Sequence, residues 1–163
     1  MKIFKVIPQR VFKNLKWHVY VAGKSSLRHS YSWFFDEVRR LNYSNIIAER
    51  HPKRIDIYEE GKEVKILRKA KKEIVDKQLQ DYKDQGYPKN FGLLEGHFLF
   101  RNFGSSKIEV MSCMWFDEIN RGSRRDQLSF NYVIWKLGLE VKYDSYGHFV
   151  SGRPHLFEDT VNK

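Results

Sequence analysis

The densest run of residues able to do chemistry is Asp117-Glu118, Arg121 and Ser123-Arg124-Arg125-Asp126-Gln127. It lies where one apolar-periodic segment ends and another begins, which places it at a junction of two helices. Ser123 followed three residues later by Asp126 has the spacing of a capping box, with the acid also complementing the positive helix end. The same helix start, flanked by Arg124 and Arg125, suits an anionic or polyhydroxyl ligand, for which Asp126 and Gln127 offer acceptors and one donor. The two readings are compatible. Phosphate-cradling glycine loops, a His-Glu-x-x-His zinc helix, a Gly-x-Ser-x-Gly elbow and paired cysteines are all missing from the sequence, which removes the commonest hydrolases and kinases.

Those residues need a scaffold. Alternation over Lys2–Ile7 predicts a short strand or extended entry closed by Pro8, and Trp17–Ala22 predicts a second, buried strand ended by Gly23. Apolar residues at helical spacing predict a helix over Ser26–Leu41, then a strand at Asn45–Ala48. A long helix, the longest of the chain, is predicted over Glu63–Asp84 and stopped by Gly86 and Pro88. Glu95–Phe100 predicts a strand. Ile108, Met111, Trp115 and Ile119 mark one further helix, and Leu128, Tyr132 and Trp135 mark another that ends at Gly138. Strands interleaved with helices predict an α/β fold, and 163 residues predict one domain, 1–163.

Forty-one per cent hydrophobic residues support a buried core, and no apolar run approaches the roughly 20 residues of a membrane span. With a single cysteine, Cys113, this predicts a soluble chain, with the cytoplasm as default compartment and peripheral attachment at the inner membrane surface as a variant of it. The net charge of +10 is concentrated early: residues 1–54 hold 12 Lys and Arg against 3 Asp and Glu. Such a block favours anionic partners, whether nucleic acid, an acidic membrane surface or a diphosphate. A nucleic-acid or membrane-surface patch ranks last, because Trp17, Tyr20 and Trp33 have core spacing and no nucleic-acid motif is present.

His51-Pro52-Lys53-Arg54, Ile57-Tyr58-Glu59-Glu60, Gln85-Gly86-Tyr87-Pro88, Gly92-Leu93-Leu94-Glu95, and Trp115-Phe116-Asp117-Glu118-Ile119 running on to Arg125-Asp126-Gln127-Leu128-Ser129-Phe130 occur in that order. As an ordered set they resemble the TOD/MUCI-type glycosyltransferase-like domain over about residues 4–139, leaving 140–163 as a C-terminal extension. The resemblance implies a partial GT-A-like, Rossmann-like mixed sheet flanked by helices and lacking the usual N-terminal nucleotide-binding strands. It implies transfer of a sugar from a nucleotide-sugar donor to a glycan or other hydroxyl acceptor, with Asp126 and Gln127 beside the transferred sugar and Glu118 joining them as catalytic. His51, Arg54, Glu59, Arg124 and Arg125 are then the substrate-binding set.

Two departures from the family pattern matter. The strand Trp17–Ala22 normally runs into an Asp-Gly step that binds Mn²⁺ or Mg²⁺, and Ala22-Gly23-Lys24 stands there instead. Alanine supplies no oxygen to a hard cation. Lys24 and Arg28 are the cations placed to neutralise a diphosphate in its stead. The segment His148-Phe149-Val150-Ser151-Gly152-Arg153-Pro154-His155 is similar to the family element that touches metal and diphosphate, which makes His148 or His155 the remaining metal candidates. The second departure is that the chain starts almost at that strand. The expectation is therefore either a second polypeptide or second copy covering an open sheet edge, or a truncated, non-catalytic remnant that binds a glycan or partner.

Overall fold

The computed structural model describes residues 2–23, 25–40, 45–144 and 147–151. The order of elements is α1 (Ile3–Val6), a 3-10 turn (Pro8–Arg10), β1 (Trp17–Val21), β2 (Ser26–Leu27), α2 (Tyr31–Arg40), β3 (Ile46–Arg50), α3 (Ile57–Ile66), α4 (Lys72–Asp84), β4 (Leu94–Asn102), α5 (Ser106–Arg121), α6 (Asp126–Lys136), β5 (Lys142–Asp144) and β6 (Val150–Ser151). The fold is mixed α/β, with six α-helices and a four-stranded mixed sheet among the described residues, consistent with part of a Rossmann-like fold.

The sheet order is β1-β4-β3-β5. Strand β4 runs antiparallel to β1 and β3, and β3 runs parallel to β5. The carboxyl ends of β1, β3 and β5 therefore share one edge with the start of β4, the edge at which open α/β sheets present their ligand sites. The register of β3 on β4 shifts there: Ala48 faces Leu99, whereas Glu49 faces Glu95. Gly96, His97 and Phe98 are thus extra on β4 relative to β3, and a bulge of this kind re-aims side chains at a sheet rim.

Alternation along the strands feeds two cores. Ile46, Ala48 and Leu99 pack with Trp115, Leu128, Phe130 and Val133 under α3–α6, while Ile47, Phe98 and Phe100 pack with Phe34, Val38, Phe149 and Val150 beneath α2. Both helix faces of the sheet are covered. Helix α3 is opened by Asp56, whose Oδ1 accepts from the backbone N–H of Tyr58 and Glu59, a standard solution for orphan helix donors.

Four sequence expectations are corrected. Residues Ile3–Val6 are helical, not extended, because Lys5 is buried together with Val6 instead of alternating outward. The helix expected from Ser26 begins at Tyr31, since Ser26–Leu27 pairs with Val150–Ser151. The expected helix Glu63–Asp84 is two helices, broken where Arg68 takes φ 51, a left-handed conformation that a helix interior does not hold. The 16-residue α5 is consequently longer than either piece.

Candidate functional site

Helix α6 delivers its first residues to the carboxyl-end edge of the sheet. A Cβ built on Gly96 would lie 2.9 Å from Lys5 Nζ, 3.9 Å from Gln127 Cγ and 4.0 Å from Asp126 Oδ2, so the helix start lies directly against β4 and the Lys5 ammonium fills the space that a side chain would take. Gln127 Nε2 donates to the Leu94 carbonyl at 3.1 Å. Ala22 is beside them, its N–H donating to the His97 carbonyl at 2.8 Å. His51 is on the neighbouring strand end, its N–H donating to the Leu93 carbonyl. Asp126, Gln127, Ala22 and His51 therefore share one edge.

Asp126 is not the return arm of a capping box. Arg125 is the N-cap and no side chain caps the helix; Arg124 at φ 58 turns the chain, and Ser123 Oγ accepts only a long 3.4 Å bond from the Arg125 N–H. Instead Asp126 Oδ1 accepts from Lys2 Nζ at 2.8 Å and Oδ2 from Lys5 Nζ at 2.6 Å. Burial alone would raise this carboxyl, but the charges and hydrogen bonds of Lys5 and Lys2 outweigh it and hold it well below the usual carboxylate range. Two lysines around one carboxylate leave the helix start net positive, and Lys2 is 36% exposed.

A second polar cluster adjoins this edge. Glu95 lies between two imidazoles, with Oε2 3.5 Å from His51 Nε2 and Oε1 3.3 Å from His97 Nε2, and all three residues are buried. His51 Nδ1 accepts from the backbone N–H of Lys53 and Arg54, while Arg54 Nε donates to Glu60 Oε2 at 2.6 Å. Glu49, with no exposed surface, accepts from the Gly147 N–H at 3.0 Å. Burial raises its carboxyl to about 7, against the pull of backbone hydrogen bonds and with help from Glu95 and Asp144.

The other expected site residues are dispersed. Glu118 accepts from Tyr82 Oη at 2.7 Å and lines a groove of about 630 Å³ with Gln78, Asp81, Gln85 and Arg121. This groove belongs to α4 and α5, away from the strand ends. Glu59 Oε2 accepts from the Ile55 N–H at the entry to α3. Arg124 is exposed. Arg28 Nε donates to the Val150 carbonyl at 3.4 Å, beyond a depression of about 350 Å³ lined by Ser25, Ser26, His29, Ser30 and Tyr31 at the end of β1. Lys24 and His155 lie outside the described residues.

The described residues do not fit a divalent cation. His148 Nε2 faces Glu37 at 3.3 Å and Asp144 at 3.8 Å, Ala22 offers no side-chain oxygen, and no group of three His, Cys, Asp or Glu among the described residues is disposed to hold a metal ion. Lys2, Lys5, Glu49, Glu95 and His97 are absent from the set predicted from sequence. The signal for the last two was legible: Glu95 and His97 interrupt the apolar run Leu93–Phe100, and polar side chains in a strand buried on both faces need partners.

The family model described as TOD1/MUCI70, glycosyltransferase-like domain, matches residues 1–156. A relative from Arabidopsis thaliana, named "Probable hexosyltransferase MUCI70", is 25% identical over 150 residues, which are 87% of this chain and 26% of that protein. The chain thus spans about a quarter of the length of the curated relative it matches. No solved structure matches it.

Proposed function

The chain belongs to the TOD1/MUCI70 glycosyltransferase-like domain family, and from that premise we propose that it takes part in moving a sugar from a nucleotide-sugar donor to a hydroxyl of a glycan acceptor. The observation that carries this reading is the placement of Asp126 and Gln127 against Gly96 at the carboxyl-end edge of β1, β3 and β5.

In this reading the Asp126 carboxylate, kept ionised by Lys2 and Lys5, and the Gln127 amide oxygen accept from hydroxyls of the transferred sugar and hold it in place. Lys2, the more exposed of the two lysines, and Arg124 and Arg125 face the departing diphosphate with positive charge. That is the task the family pattern gives to a metal, whose carboxylate ligand is replaced by Ala22 here. His51, held by backbone donors at Nδ1, and Arg54 border the acceptor side.

Calorimetric titration with uridine and guanosine diphosphates and their sugar conjugates, each with Mn²⁺ and with a chelator, tests this. Binding that is weak, little changed by the chelator and lost in Lys2→Ala is the expected result. Two observations favour a second reading, a non-catalytic module that binds a glycan: the carboxylate is tied down by two lysines, and the strand end carries Ala22. Failure of every nucleotide to bind, together with binding of a glycan, establishes that second reading and defeats the first.

A further inference from the structure

The first 35 residues hold seven Lys and Arg and no Asp or Glu, and the five that precede β1 fall into two groups in the structure. Lys2 and Lys5 turn inward to Asp126. Arg10, Lys13 and Lys16 stay on the surface, and none of the three has an ion pair among the described residues. Arg10 lies over the Phe116 ring at 5.8 Å.

The same segment exposes large apolar side chains. Phe4 is 46% exposed, Val11 45% and Phe12 48%, and the Phe4 and Phe12 rings meet each other at 6.2 Å. Val6, Ile7 and Pro8 on the inner side are buried. The segment is therefore a short wedge with one face in the core, its apolar tip outside, and basic residues around the tip. Asn14, next to the exposed Lys13, takes the left-handed φ of 55.

We infer that this wedge, Phe4, Arg10, Val11, Phe12, Lys13 and Lys16, docks the protein on an anionic lipid surface. Apolar side chains ringed by Lys and Arg are the pattern of interfacial binding, in which rings and aliphatic groups enter the headgroup boundary while the cations meet anionic headgroups. Charge complementarity selects this partner: no acid within the segment opposes a negative surface. The two rings pack on each other and Val11 has no π-face, which suits burial in a lipid boundary better than base stacking. The inference is independent of the sugar chemistry at the strand ends.

The test is flotation of the full chain with vesicles of phosphatidylcholine alone and of phosphatidylcholine mixed with phosphatidylglycerol, at low and high salt. Binding is expected to the mixed vesicles only, and high salt should release it. Lys13→Glu with Lys16→Glu should weaken it roughly thirty-fold or more. Phe4→Ser with Phe12→Ser should weaken it without changing the charge, and Lys69→Glu with Lys72→Glu, on the α3–α4 connection and at the first residue of α4, should leave it unchanged. Melting temperatures show whether each variant is folded, and the lysine pair keeps the test decisive if the phenylalanine pair is not. Absence of binding to the mixed vesicles overturns the proposal, as does an equal loss from the Lys69 and Lys72 changes. It is likewise overturned if the wedge substitutions leave vesicle binding intact but abolish self-association or oligonucleotide binding.

Discussion

Lys5 Nζ donates to Asp126 Oδ2 at 2.6 Å and to the Gly96 carbonyl at 2.8 Å, so one buried ammonium joins α1, β4 and the first residue of α6. The candidate carboxylate is therefore also a structural one. Its ionisation, its position and the attachment of the N-terminal helix are a single arrangement.

Asp126→Asn is expected to destabilise the protein by about 3 kcal/mol, because it leaves the Lys5 ammonium buried against an uncharged amide. Ser123→Ala should cost a few tenths, since its hydroxyl holds one long bond. Denaturant unfolding of both, with Lys5→Met and the double variant completing a cycle, measures the coupling. The carboxyl is depressed in the folded state, so its contribution is present above the ordinary carboxylate range near pH 4 and is lost as pH falls below it. A parent-like acid transition in Asp126→Asn would contradict this assignment.

Glu49 has the opposite sign. Its folded value of about 7 lies above the ordinary 4.5, so its contribution is complete below about pH 4.5 and declines as pH rises through 7. Glu49→Gln keeps an acceptor for the Gly147 N–H and removes the buried charge. At pH 8 it should be more stable than the parent by roughly 3 kcal/mol, and the two should converge near pH 4. Thermal melts across that range decide it; identical curves for parent and variant refute the shift.

How much of this was legible in the sequence depended on whether a residue's surroundings were local. The strands β1, β3 and β4 and the helices α5 and α6 announce themselves by period, because each has one dominant apolar partner surface. The break at Arg68 did not, since Leu67, Ala70 and Ile74 continue a helical stripe across it, and a single left-handed residue leaves no compositional trace. The ion-pair partners of Asp126 leave no local trace for a different reason. Ser123 and Asp126 have local capping spacing, whereas the partners that win, Lys2 and Lys5, are more than 120 residues away. The clustering of Glu49, Glu95 and Asp144 likewise follows from strand order and a register shift, which only the assembled sheet contains.

Arg101 is fully buried, donating to the Val6 carbonyl and to Ser112 Oγ at 2.8 Å each, to the Lys5 carbonyl, and lying 3.2 Å from His18 Nδ1. Burial lowers it to about 9. Burial first, and Arg101 second, bring His18 down to about 3, against a bond to the Phe4 backbone. Arg101→Met should cost about 3 kcal/mol by stranding two carbonyls of α1. If it folds, the His18 imidazole should titrate higher than in the parent yet still below 6.5, because burial remains. Proton resonances of the imidazole follow this directly, and an unmoved His18 would show that Arg101 does not act on it.

Gln127 separates ligand binding from stability most cleanly, because its amide is bipartite. Nε2 is committed to the Leu94 carbonyl at 3.1 Å, on a residue whose N–H donates to Asn131 Oδ1 at 3.1 Å; that bond is local scaffolding. Gln127→Ala should cost about 1 kcal/mol by removing it. If the oxygen end receives a sugar hydroxyl, the same change should also lower affinity for the sugar-bearing ligand about tenfold or more. Affinity for the free nucleoside diphosphate should stay as it is, because the amide oxygen has no attraction for phosphate. Gln127→Glu sharpens the contrast: it keeps an acceptor but loses the donor to Leu94 and sets a second carboxylate beside Asp126, so it should lower stability more than alanine does. Unfolding and calorimetry on the parent and both variants, with a sugar nucleotide and its free diphosphate side by side, give the answer. Loss of stability with unaltered discrimination between those two ligands would leave Gln127 as scaffold and remove it from the sugar site.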